Sequence, residues 1–222
     1  MTALALVLAT ALALGALHAF DPDHLAAVTA FITRRPSAWS AAGFAVRWAT
    51  GHSATLIAAG LASTLFRLAL TPHMQMAAEL AVGVMLVAVG GWALAGVRRA
   101  HLARHDHPHH APHAPHARHG EGSSIFWVGA LHGLAGSAGL FVIIPVALMS
   151  SSWAMLTYVV TFSVGVTAAM SLYAMAVGGL FGKVAGGAGA RWYPWLAGAA
   201  GSMTLLLGLG WISLTLVARA SS

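Results

Sequence analysis

Apolar residues run along this chain in long stretches separated by short polar gaps. A membrane-spanning helix needs about 20 mainly apolar residues. Six stretches reach that length, at roughly 2–33, 38–67, 74–97, 124–149, 153–181 and 193–218. The pattern predicts an all-α integral membrane protein with six spans. Composition agrees: 59% of residues are hydrophobic and only 7% are charged, against about 25% charged in a soluble chain. An ordinary cytosolic enzyme, a nucleic-acid binder and a disordered chain are thereby excluded. The net charge of +6 and pI of about 11.2 imitate a nucleic-acid signal, but most of the Lys and Arg fall in the gaps between apolar runs. The absence of cysteine excludes disulfides and thiolate metal sites.

The first stretch has no basic residue ahead of it and no clear cleavage site, so it is expected to be a span rather than a signal peptide. Orientation follows from the distribution of positive charge. Arg34 and Arg35 lie in the first gap, Arg98, Arg99, Arg104 and Arg118 in the third, and Lys183 and Arg191 in the fifth. The other side carries Arg67 and Arg219. The odd-numbered gaps are therefore expected in the cytoplasm and both termini outside, in a bacterial inner membrane. Arg47, inside the second span, either snorkels to the cytoplasmic interface or pairs with an acid. Glu79 is expected near the outer interface.

The third gap, residues 98–123, holds eight histidines between His101 and His119 among Pro, Ala and Gly. It cannot bury a core and is expected to be disordered. It reads either as a loose cytoplasmic metal buffer or sensor, or as a soluble basic linker.

The chain also repeats itself. Gly15-Ala16-Leu17-His18 recurs 114 positions later as Gly129-Ala130-Leu131-His132, and at the same offset Gly51 meets Gly165. Gly91-Trp92 recurs as Gly210-Trp211. The expected organisation is a first three-helix repeat at 1–97, the His-rich cytoplasmic loop at 98–123 and a second three-helix repeat at 124–222. An odd number of spans per copy inverts the second copy, a transporter architecture with its site near the bilayer midplane.

Span one contains His18-Ala19-Phe20-Asp21-Pro22-Asp23-His24. As one helix its 32 residues would reach about 48 Å, well beyond a bilayer core. Pro22 cannot donate to the carbonyl of His18, and Asp21 before it is pushed from helical geometry. Yet Asp-Pro also starts helices well, with Asp21 as N-cap and Pro22 at N1. Two half-helices meeting inside the membrane are predicted, broken at Asp21-Pro22. Two carboxylates there need a reason, and a divalent cation is one. His18, Asp23 and His24 form an N/O ligand set suited to Ni, Co, Zn or Fe(II); a proton relay or structural polar network is the competing reading. Asp21 is either a ligand or a helix cap. His52, in Gly51-His52-Ser53, and His132, the repeat-mate of His18, are further candidate ligands, His132 alternatively a gate hydrogen bond. The second copy has Ala135-Gly136-Ser137-Ala138 where the first has its acids and proline. Ser163 and Thr167 are expected to bond back to their own helix rather than to an ion.

The form HAFDPDHLAAV resembles the H-x4-D-H signature of the nickel/cobalt transporter family. GHS at 51–53 is similar to that family's next helix, and LHGLAGSAG at 131–139 to its NicO and urease-accessory UreH-like branch. The resemblance implies a secondary Ni²⁺/Co²⁺ permease, not an enzyme, with His18, Asp23 and His24 at the positions of metal recognition. The chain departs from the longer permeases in having six spans rather than eight, and in lacking a second acidic signature in span five. No phosphate loop or organic cofactor site is evident. The alternative is a membrane accessory or metal-delivery protein for urease or hydrogenase maturation, with a metallochaperone or maturation factor as partner. An anion exporter on a related scaffold is disfavoured by the two carboxylates.

Overall fold

The computed structural model describes residues 3–34, 36–66, 71–106, 121–134, 149, 151–187 and 189–220. Every regular element among them is a helix: α1 (Ala3–His18), α2 (Pro22–Ile32), α3 (Ala38–Phe66), α4 (Pro72–Asp106), α5 (Glu121–His132), α6 (Ser152–Gly186) and α7 (Tyr193–Ala220). His73–Ala100, Trp153–Gly186 and Tyr193–Ala220 are long and apolar enough to cross a membrane, and α1 with α2 makes a fourth, bent candidate. The chain is therefore an all-helical membrane protein. Its outer surface fits that environment: Leu172, Leu206, Leu214 and Val217 are largely exposed, as are Trp39, Trp153 and Trp195 near helix starts, where an aromatic belt belongs.

Six spans were expected; among the described residues one of them, α3, departs from that count, and another, the fourth stretch, is only partly described. α3 has the length, but with Arg47, Thr50, His52 and Ser53 in its middle it is not among the helices apolar enough to cross by composition. α5 covers only the first part of the fourth apolar stretch, and residues 135–148 lie outside the described residues. A further departure concerns the His-rich segment. Disorder was expected from residue 98, but α4 continues through Asp106. Arg-Arg-Ala-His-Leu-Ala-Arg is good helix-forming sequence, and Arg99 Nε donates to the carbonyl of Ala95 (3.2 Å). The remainder of the tract, residues 107–120, lies outside the described residues.

The first span is interrupted where the Asp-Pro sequence predicts. α1 closes with Ala19 N–H on the carbonyl of Gly15 (3.1 Å), then tightens: Phe20 N–H bonds Leu17 (2.9 Å) and Asp21 N–H bonds His18 (3.1 Å). α2 starts at Pro22 and leaves at 58° to α1. The end of α5 repeats the first two of these bonds 114 positions on, Gly133 to Gly129 (3.0 Å) and Leu134 to Leu131 (3.2 Å). Both helices thus unwind just after a histidine.

Glycines set how closely the helices approach. A Cβ at Gly15 would meet the carbonyl of Phe162 at 2.1 Å, and one at Gly129 would meet that of Trp48 at 2.0 Å. Gly51 lies likewise on the Phe126 carbonyl and Gly165 on that of Leu12. Each contact has a counterpart shifted by 114 positions in both partners. α1 therefore packs on α6, and α5 on α3, through equivalent small-residue crossings. α4 packs most extensively on α7, through Gly83, Gly90, Gly201 and Gly208. α2 touches α4, α6 and α7. Its Val28 and Ile32 join the apolar core of α1, α3 and α6, while Ala27 and Ala30 join that of α4.

Gly15→Val or Gly129→Val forces two helix backbones apart and is expected to cost about 1–3 kcal/mol or more. Gly91→Ala, which meets nothing within 4 Å, should be neutral or stabilising by up to about 1 kcal/mol. Thermal melts in detergent measure both. Equal losses at Gly91 and Gly15 would contradict the packing.

Candidate metal centre

The break in span one and the two crossings bring four histidines and an aspartate together. His18 ends α1, Asp23 and His24 occupy the first turn of α2, His52 is mid-α3 and His132 ends α5. All five are buried, His52 and His132 completely. Ring centroids separate His18 from His24 by 4.6 Å, His18 from His52 by 5.4 Å and His24 from His132 by 4.5 Å. In an unbroken helix Asp23 and His24 would be turned off the face of His18, at 100° per residue. The 58° bend removes that constraint.

The hydrogen bonds are specific. Asp23 bridges two imidazoles: His132 Nε2 donates to Oδ2 (2.7 Å) and His24 Nδ1 donates to Oδ1 (3.2 Å). His18 Nδ1 donates to Asp21 Oδ2 (2.9 Å), which leaves His18 Nε2 as a lone-pair nitrogen. That nitrogen lies 3.3 Å from His52 Nε2, which donates to it. His24 Nε2, His52 Nδ1 and His132 Nδ1 are buried without a partner. Buried polar atoms are satisfied in the great majority of cases, so three orphaned ring nitrogens in one cluster call for an explanation.

Asp21 occupies the N-cap position of α2, but its side chain makes no cap bond. Serving His18 takes precedence, and Asp21 is not among the groups whose ligand atoms converge. Those groups are His18, His24 and His52, and Asp23, His24 and His132; within each, the ligand atoms lie within 4.8 Å of one another. Arg47 is exposed and reaches back to the carbonyl of Gly43 (3.4 Å), the snorkelling geometry. Glu79 accepts from Trp211 Nε1 (2.5 Å). Thr167 bonds back to the carbonyl of Ser163 (2.8 Å) as expected. Ser163 does not follow: its hydroxyl is buried without a partner.

The sequence reading passed over several residues that shape the site. Trp48 is fully buried, stacks on His52 (5.2 Å, 12°) and meets His24 and His132 edge-on (4.9 and 5.3 Å). Its position four residues before His52 was the available signal, since i and i+4 share a helix face. α2 is anchored at its far end as well. Thr29 bonds the Tyr173 hydroxyl (2.6 Å), the Tyr193 hydroxyl bonds the carbonyl of Thr33, and Thr204 bonds that of Ala26 (3.0 Å). Arg34 lies 4.3 Å over the ring of Trp92 and donates to its carbonyl (3.3 Å).

A buried His/Asp cluster at a broken apolar helix defines the class as a helical membrane protein with a buried polar centre. Over 179 residues the chain is 29% identical to the urease accessory protein UreH of Bacillus sp. (strain TB-90), covering 78% of this chain and 76% of that protein. The resemblance to the UreH-like branch therefore extends far beyond the short motifs that first carried it. No family model matches the chain, and no solved structure does.

Trp48→Ala should cost about 3–5 kcal/mol, as for other large core truncations, and Trp48→Phe should recover most of it. A Trp48→Ala protein melting like the wild type would show that the indole does not hold the histidines in place.

Proposed function

We propose that this chain is a secondary permease for divalent transition-metal ions, nickel or cobalt foremost, across the inner membrane. The observation that carries this reading is the convergence of His18, Asp23, His24, His52 and His132 in a buried cluster with three unpartnered ring nitrogens. Nitrogen and carboxylate ligands without sulfur suit these metals. Tetrahedral ligands at about 2.0–2.1 Å stand about 3.3–3.4 Å apart, and the two Nε2 atoms of His18 and His52 are 3.3 Å apart. A proton relay would not account for the orphaned nitrogens, because a relay needs continuous donor–acceptor contacts.

The local field also favours a cation. α1 and α5 both end at this point, and helix C-termini carry partial negative charge. Asp21 and Asp23 offset the positive end of α2. The accompanying architecture is a pair of inverted three-helix repeats, 1–97 and 124–222, joined by the 98–123 segment on the cytoplasmic side, with both termini outside. The matched glycine crossings support it, as does the shared unwinding after His18 and His132. In such a scaffold the ion binds at the repeat interface and the two repeats move about it. Imidazoles bind metal through deprotonated nitrogens, so loading displaces or shifts protons.

A second reading is favoured by the name of the relative, a urease accessory protein. In it the chain is a membrane accessory that delivers nickel to a urease or hydrogenase maturation partner without transport of its own. Purified protein in liposomes loaded with a metal-sensitive dye separates the two. Ni²⁺ or Co²⁺ flux from this chain alone supports the permease, whereas metal binding without flux supports the accessory.

His24→Ala and Asp23→Asn are expected to lower metal affinity or transport by about tenfold or more with little loss of folded protein. Pro22→Ala should impair transport while removing no ligand, by allowing α1 and α2 to join. Wild-type affinity in both His24→Ala and Asp23→Asn would leave the cluster a structural network only.

A further inference from the structure

The cluster offers more ligands than one tetrahedral ion takes, and they do not form one shell. Two ligands of a single ion at about 2.1 Å lie no more than about 4.2 Å apart. Among the described residues the ligand atoms fall into two sets, His18–His24–His52 and Asp23–His24–His132. The rings of His52 and His132 stand 6.4 Å apart, while His24 lies 5.1 Å from one and 4.5 Å from the other. Only His24 belongs to both sets.

We propose that the ion occupies two alternate positions, a neutral His18–His24–His52 position and an anionic Asp23–His24–His132 position, and that transport hands it from one to the other through His24. This rests on the metal-permease reading. The hydrogen bonds already divide along the same line. His18 pairs with His52, while His24 and His132 both hold Asp23. His24 keeps one nitrogen on Asp23 and has the other buried without a partner, so one ring can serve either side.

The two positions draw on different elements. The first takes its ligands from α1, α2 and α3, all within the first repeat. The second takes them from α2 and α5, the latter from the second repeat. A movement between repeats leaves the first set intact and changes the second, as a handover requires. The positions also differ in charge. An ion among three imidazoles keeps its full double charge in a low-dielectric setting, offset only indirectly by Asp21 behind His18. At Asp23 one charge is cancelled outright. His52 and His132 each take the ion on Nε2 by moving that nitrogen's proton to Nδ1, which in both rings has no partner to displace. The shared ring, together with repulsion between two divalent cations at this spacing, allows one ion at a time.

The test uses the full chain in detergent, with Co²⁺ as ligand and spectroscopic probe, and the same proteins in liposomes. Wild type should bind one Co²⁺. His52→Ala and His132→Ala should each retain Co²⁺ within about tenfold, with visible and X-ray absorption spectra that differ from one another, yet each should lower flux by about tenfold or more. His24→Ala, which damages both sets, should lose affinity by about 100-fold. If an Ala variant does not fold, the Gln variant at the same position replaces it. Loss of binding in His52→Ala and His132→Ala equal to that in His24→Ala would mean one composite site and overturn the proposal. So would two Co²⁺ bound at once, or identical spectra in the two variants. Absence of Co²⁺ binding to the wild type would instead overturn the metal-permease reading itself, and this proposal with it.

Discussion

A proline placed mid-span is the constraint on which the rest depends. Pro22 has no N–H to give the carbonyl of His18, so the helix must end, and inside a bilayer the freed backbone groups need protein partners. The chain meets this need with tightened bonds at the end of α1 and an immediate restart as α2, directed 58° away. The restart places Asp23 and His24 back beside His18. The discontinuity and the polar cluster are thus two aspects of one event: without the bend the polar side chains diverge, and without their mutual hydrogen bonds a broken, doubly acidic span would be hard to keep in lipid.

The surrounding helices are arranged to hold that event in place. Crossings at Gly15, Gly51, Gly129 and Gly165 bring backbones into direct contact, which leaves His52 and His132 close enough to meet short side chains on α2. Larger residues at those glycines would widen the bundle and separate the cluster. At its other end α2 is tied by Arg34, Tyr173, Tyr193 and Thr204. A helix of 11 residues has little intrinsic stability, so these ties give it a defined direction.

Much of this was legible in the sequence, because its causes are local. The apolar runs, the Asp-Pro break, the Gly-Ala-Leu-His repeat and the intramembrane histidines all follow from short-range chemistry or composition. The misreadings arose where tertiary contacts decide. Asp21 has the sequence of a cap, but a buried imidazole nearby is a stronger claimant for its carboxylate. Ser163 would ordinarily bond its own helix, but its hydroxyl does not. Residues 98–106 looked like loop because histidines and arginines dominate them, yet they have no Gly or Pro to stop α4. Trp48 was passed over as one more apolar residue, although its place four residues before His52 puts both on one helix face.

The centre is lopsided. A histidine ends a helix twice, His18 on α1 and His132 on α5, and the glycine crossings recur at the same offset. The acids do not recur: 114 positions on, the chain has Ala135-Gly136-Ser137-Ala138. A symmetric centre with four carboxylates would carry an excess of buried negative charge whenever it was empty, a severe desolvation cost. With two, Asp21 accepts an N–H from His18, and Asp23 accepts from both His24 and His132. The short supply of acids limits the burial cost: each carboxylate present has an imidazole N–H to accept, and the cluster keeps three ring nitrogens, His24 Nε2, His52 Nδ1 and His132 Nδ1, without a partner.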